Sequence, residues 1–131
     1  MIVSLHVATG AAAGALSGKR GRAALAGVVL HALGDRMPHW DIDDRRFEVK
    51  SGLALVAALA LRHGPTSPVV VGALAASAPD VEHIVRLPRP GGRKLFPSHR
   101  VPGWHRPGGV PAWAQLLAAG VLVGAVLSLR R

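Results

Sequence analysis

A chain of 131 residues is about the length of one typical domain and too short for two substantial cores. Half of the residues are hydrophobic, which excludes a disordered chain, and the absence of cysteine excludes disulfides, thiolate zinc fingers, iron–sulfur clusters and a cysteine nucleophile. Sixteen Lys and Arg against seven Asp and Glu give a formal charge of +9, which favours anionic partners, although an Ala-, Gly-, Arg- and Val-rich composition is also what GC-rich coding produces.

Residues 1–17 are apolar and small apart from His6, and Lys19-Arg20-Gly21-Arg22 closes the run. In a signal peptide the positive charge precedes the apolar stretch, so the order here predicts a retained helix over about 3–17. A second helix is expected over about 23–37, stopped by Pro38. Third and fourth helices are expected over about 52–62 and 68–78. The segment from Arg62 to Pro68 between them reads as a turn, with His63 in solvent. Each of these two apolar runs covers only about half of a hydrocarbon core of about 30 Å. Segment 79–110 reads as a polar loop over the helix ends. Residues 111–129 carry no charge and are bracketed by Trp113 and Arg130-Arg131, which makes them the transmembrane candidate. No strand is indicated. The expected fold is all-α: a single domain over 1–131, a small helical membrane-associated bundle of four or five helices with two polar metal-site segments. Mean hydropathy of +0.32 lies between soluble and polytopic membrane proteins. Basic residues flank every apolar run, so the positive-inside rule sets no orientation.

The acids and imidazoles are clustered. In His31-x3-Asp35-x3-His39-x-Asp41, a helical spacing of four puts His31 and Asp35 on one face, and an extended spacing of two puts His39 and Asp41 on one side. Four N/O ligands within such a stretch suit zinc, manganese or iron; the alternative is a helix ending in a solvated acidic loop. A second window, Pro79-Asp80-Val81-Glu82-His83, repeats the pattern, with Asp80 as a plain helix cap the competing reading. Two windows could hold two ions, as in two-metal phosphoesterases. In the Pro- and Gly-rich stretch from Phe96 to Arg106, His99-Arg100 and His105-Arg106 either complete a metal site and hold an anionic substrate or form a basic surface patch. His6 is functional if it sits at membrane depth and a hydrogen-bonded packing residue if it sits in a soluble core. Trp40, Trp104 and Trp113 flank polar segments, as interfacial tryptophans do.

Together, Leu5-His6-Val7-Ala8-Thr9-Gly10, the His31 to Asp41 segment, Ala78-Pro79-Asp80-Val81-Glu82-His83 and Phe96-Pro97-Ser98-His99-Arg100 resemble the family of small membrane-bound metal-dependent hydrolases, and more loosely the zinc-dependent phospholipase C type. The resemblance covers most of residues 1–110. It implies a helical, membrane-embedded hydrolase in which His6, the His31–Asp35 pair, Asp80, His83 and the later His99 occupy motif positions. Glu82 stands where that family usually has Asp.

The resulting expectation is a metal-dependent hydrolase, integral to the inner (plasma) membrane, acting on a phosphoester or phospholipid. Its expected metal ligands are His6, His31, Asp35, His39, Asp41, Asp80, Glu82 and His83, with His99, His105 and Arg100 in catalysis. The expected cofactor is a divalent metal, zinc ahead of manganese or iron, as one or two ions. The alternative is a non-catalytic membrane protein that binds metal or anionic lipid. Nucleic acid is not an expected partner, because the charges are dispersed, Tyr is absent and Phe is scarce. Gly10-x3-Gly14 and Gly120-x3-Gly124 have the spacing of a homodimer contact.

Overall fold

In the computed structural model, which describes residues 1–129, four long helices fill the first 77 residues and a fifth closes the chain. Helix α1 spans Val3–Ser17 and ends at Gly18, whose φ of 61° is the left-handed conformation that glycine adopts without strain. Helix α2, Arg20–Arg36, starts three residues before the expected position and stops at Met37, ahead of Pro38. Helix α3, Arg45–His63, starts seven residues before the expected 52. Its extra two turns are polar, which hides them in a search for apolar runs, but Asp44 caps them by accepting from the Phe47 N–H at 3.0 Å. Helix α4, Pro68–Ser77, is capped by Ser67 and has proline at its first position. The last helix is Ala112–Ser128.

Small residues set the packing. Helix α1 is central, with α2 and α4 against one side and α3 and the last helix against the other. Ala8, Ala11, Ala73 and Ala76 are fully buried. A Cβ on Gly10 would collide with the Gly72 carbonyl oxygen, and a Cβ on Gly72 with that of Gly10. The Gly10-x3-Gly14 spacing is therefore spent inside the chain, on contact with α4. Gly120 and Gly124 have open space beside them.

The segment expected as a polar loop over 79–110 contains helical turns: a 3₁₀ turn at Ala78–Asp80, helix α5 at Val81–Ile84, a second 3₁₀ turn at Pro90–Gly92, and helix α6 at Pro97–Arg100. Counted in chain order, the closing helix is α7. The segment is tied back to residues 38–40. The His39 N–H donates to Arg106 O at 3.2 Å, the Trp40 N–H to Val110 O at 3.0 Å, and the Val110 N–H to Pro38 O at 3.0 Å. Only isolated bridges result, and the described residues contain no strand. His63 also departs from expectation. It is partly buried and its Nε2 donates to Val126 O at 3.0 Å, while Arg62 donates to Leu127 O and Leu129 O, so the last turn of α3 caps the end of α7.

Among the described residues no helix is long and apolar enough to cross a membrane. The transmembrane expectation for 111–129 is thus not met: α7 has 17 residues, about 25 Å, against a core of about 30 Å. The bracketing Arg130-Arg131 lies outside the described residues. Apolar side chains nevertheless face outward on several helices. Leu25, Leu33, Leu53, Leu61, Leu117 and Val121 are each more than half exposed.

The Gly10–Gly72 contact makes a direct prediction. Gly72→Val should lower stability by about 1–3 kcal/mol, because the helices must separate to admit the side chain. Gly124→Ala, on the open face, should be neutral or slightly stabilising. Thermal unfolding followed by circular dichroism separates the two, and equal midpoints would refute the contact.

Candidate metal centre

The polar end of the bundle collects side chains from seven segments. His6 comes from the first turns of α1, His31 and Asp35 from the last turns of α2, and His39 from the segment after Pro38. Asp80 comes from the turn after α4, His83 from α5, His99 from α6, and His105 from the stretch before α7. The helical spacing of His31 and Asp35 does what the sequence predicts, bringing His31 Nε2 to 3.0 Å from Asp35 Oδ2. His99 Nε2 lies 3.3 Å from the same oxygen and 3.2 Å from His31 Nε2. The other carboxylate oxygen, Oδ1, has His6 Nε2 at 3.2 Å, His105 Nε2 at 3.5 Å and the Met1 α-amino nitrogen at 3.0 Å. Asp80 completes the group, 3.6 Å from His99 Nε2 and 3.9 Å from His6 Nε2.

These contacts fit a cation better than a hydrogen-bond network. Asp35 Oδ2, Asp80 Oδ2 and His6 Nδ1 are buried with no hydrogen-bond partner, although nitrogens crowd around two of them. Three imidazoles have the other nitrogen tied down. His31 Nδ1 donates to Ala76 O at 2.8 Å, His39 Nδ1 to Met37 O at 2.6 Å, and His99 Nδ1 to Glu82 Oε1 at 2.6 Å. A proton held on Nδ1 leaves the Nε2 lone pair directed into the site, the usual arrangement of ligating histidines. Four overlapping sets have donor atoms close enough to share an ion: His6, His31 and Asp80; His31, Asp35 and His99; Asp35, His39 and His105; and Asp80, His83 and His99. Several His/Asp groups can therefore hold a metal ion.

Not every predicted residue joins a set. Glu82, expected as a ligand, is in none of these sets; it is buried and accepts from the Leu95 N–H at 2.6 Å and from His99 Nδ1 at 2.6 Å. Asp41 is half-exposed and pairs with His39 Nε2 at 3.1 Å, at the margin. Arg100 is exposed and does not line the cleft, which is why it is not placed for catalysis. His99 and His105, expected in catalysis, lie within the ligand sets.

The cleft over the site has a volume of about 560 Å³, with Arg45, Lys94 and Glu48 in its walls. Glu48 is the acid that sequence reasoning missed, because it falls outside both acidic windows. Its Oε1 is buried without a partner. Burial, reinforced by the charges of Asp41 and Asp80, pushes its carboxyl up to about 7.

Burial alone would raise the Asp35 carboxyl, but the neighbouring imidazoles of His105, His31, His6 and His99 hold it far below the usual carboxylate range. Asp80 is likewise penalised by burial and held low, chiefly by His99. Burial works against a charged His99, yet Asp35, Asp80 and Glu82 outweigh it and raise the imidazole to about 9. Burial pushes His83 down.

Compared with protein-family models, curated proteins and solved structures, the chain matches none of them. The resemblance to membrane-bound metal-dependent hydrolases therefore rests on the quoted motifs.

His99 sets the pH response. With its folded pKa near 9 against 6.5 unperturbed, its proton stabilises the metal-free protein fully below about pH 6.5, and that contribution disappears as pH rises through about 9. A metal ion must displace the same proton, so affinity should climb across that interval. Competition titration against a chromophoric chelator measures it. Glu82→Gln should weaken binding about 10–100-fold and flatten the pH dependence. A pH-independent wild-type affinity would contradict the assignment.

Proposed function

We propose that the protein is a metal-dependent hydrolase acting on a phosphoester at a lipid surface. The observation that carries this reading is the set of three imidazoles, His31, His39 and His99, each anchored through Nδ1, with the Nε2 of His31 and His99 turned toward the buried Asp35 and that of His39 toward Asp41. His, Asp and carboxylate donors without thiolate suit a divalent ion, zinc ahead of manganese or iron, as one or two ions. Such an ion, when bound, supplies Lewis-acid activation of water and of a phosphoryl oxygen. The chain's own residues do the rest. Asp35 and Asp80 neutralise the cation charge, Glu82 keeps His99 in the ligating tautomer, and Arg45 and Lys94 give the cleft walls positive charge for an anionic substrate. Glu48, half protonated near neutrality, is placed to exchange protons with a molecule in the cleft.

What supports association with lipid is the outward apolar side chains on α2, α3 and α7, among them Leu25, Leu33, Leu53, Leu117 and Val121. In this arrangement, the polar end carrying the site faces the headgroup layer. The alternative, a non-catalytic membrane protein holding metal or anionic lipid, shares the site and the apolar flank but lacks turnover.

The test is hydrolysis of bis(p-nitrophenyl) phosphate and of phosphatidylcholine–phosphatidylglycerol vesicles by zinc- or manganese-loaded protein. Wild type should turn over at least one, and Asp35→Asn should lose both metal and activity while keeping its helical signal. Vesicle flotation checks the lipid association separately. Full metal loading with no turnover would favour the non-catalytic alternative.

A further inference from the structure

The four ligand sets overlap, so they cannot all be filled at once; His31, Asp35, Asp80 and His99 each belong to two of them. Asp35 is the residue at which two of the sets meet. His31 and His99 converge on Asp35 Oδ2 at 3.0 and 3.3 Å, and their Nε2 atoms are 3.2 Å apart. At the other oxygen, Oδ1, His6 Nε2 lies at 3.2 Å and His105 Nε2 at 3.5 Å; His105 shares a donor set with Asp35 and His39, whereas His6 groups with His31 and Asp80. Asp35 thus belongs to two donor sets with different pairs of imidazoles, His31 with His99 and His39 with His105.

We infer that the site is dinuclear, with Asp35 bridging one ion held by His31 and His99 and a second held by His39 and His105. The inference rests on the metal-dependent reading above and specifies how its ions are divided. The two sequence windows suggest a different split, with one ion in each. The fold cuts across them, because His99 joins the first window's His31 and His105 joins its His39.

Two independent features support the division. Asp35 has only 1% of its side chain exposed, and Oδ2 lacks a hydrogen-bond partner despite two imidazole nitrogens within 3.3 Å, as expected where an ion rather than a proton links them. A single aspartate spanning two ions holds them about 3.5–4 Å apart, the separation at which a pair can clamp both the attacking and the leaving oxygen of a phosphoester. Each side has its own tautomer anchor, Ala76 O and Glu82 for the first pair and Met37 O for the second.

The experiment is manganese reconstitution of chelator-stripped full-length chain, with elemental analysis for stoichiometry and electron paramagnetic resonance for coupling. Wild type should take up two ions with an exchange-coupled signal. His39→Ala/His105→Ala should retain one uncoupled ion, as should His31→Ala/His99→Ala. Asp35→Asn should abolish the coupled signal. Circular dichroism reports whether each variant keeps its helices, and His39→Gln/His105→Gln replaces the alanine pair if it does not. One ion in wild type, lost in the His31/His99 variant and kept in the His39/His105 variant, would overturn the dinuclear assignment and leave metal binding intact. Two uncoupled ions in wild type would overturn the Asp35 bridge. No ion in wild type would overturn both readings.

Discussion

Asp35 is a buried carboxylate that faces no lysine or arginine side chain among the described residues; the side chains that meet it are imidazoles. An ionised acid removed from water is costly unless it is paired and hydrogen-bonded. In this chain the compensation comes from segments far apart in sequence, at positions 6, 31, 99 and 105. The polar end of the bundle is organised around that requirement, and the helices must be arranged so that their ends deliver those groups.

The small-residue contact between α1 and α4 makes that arrangement possible. With Gly10 against Gly72, and Gly27 also close to the Gly72 carbonyl, three helix backbones approach closely. At that separation the first turns of α1, the last turns of α2 and the turn after α4 lie within one small volume, so His6, His31 and Asp80 share a site without long side chains having to reach for it. Bulkier residues at the crossing would spread the helix ends and pull the donors apart. The scarcity of aromatic residues is the compositional counterpart of this close packing.

What the sequence makes legible is whatever depends on local spacing. The i, i+4 relation of His31 and Asp35, the stop at Pro38, the turn before Pro68 and the apolar core of each helix are all read correctly because each is decided within a few residues. What local spacing does not show is mostly long-range. Glu82 has the chemistry of a ligand, and nothing near it in sequence reveals that the Leu95 N–H and the His99 ring will occupy it. The polar start of α3 reads as loop by hydropathy, although Asp44 followed three residues later by the Phe47 N–H it caps is a local signal that could have been used. Glu48 went unnoticed for the same reason: its significance comes from facing Asp41 and Asp80 across the cleft, which the α3 extension arranges.

The stretch from Leu95 to Val110 has few buried apolar side chains to hold it, and polar bonds take over that task. The Trp104 indole N–H donates to Ala32 O at 2.9 Å, the Leu95 N–H reaches Glu82, and the backbone of 106–110 pairs with residues 38–40. These tethers fix His99 and His105 on opposite sides of Asp35, one through the short helix α6 and the other through the return toward α7. A segment held by hydrogen bonds to helix ends, rather than by a core of its own, is positioned only as well as those ends are. The tight α1–α4 crossing and the geometry of the candidate metal centre are therefore one structural problem, solved by the same glycines.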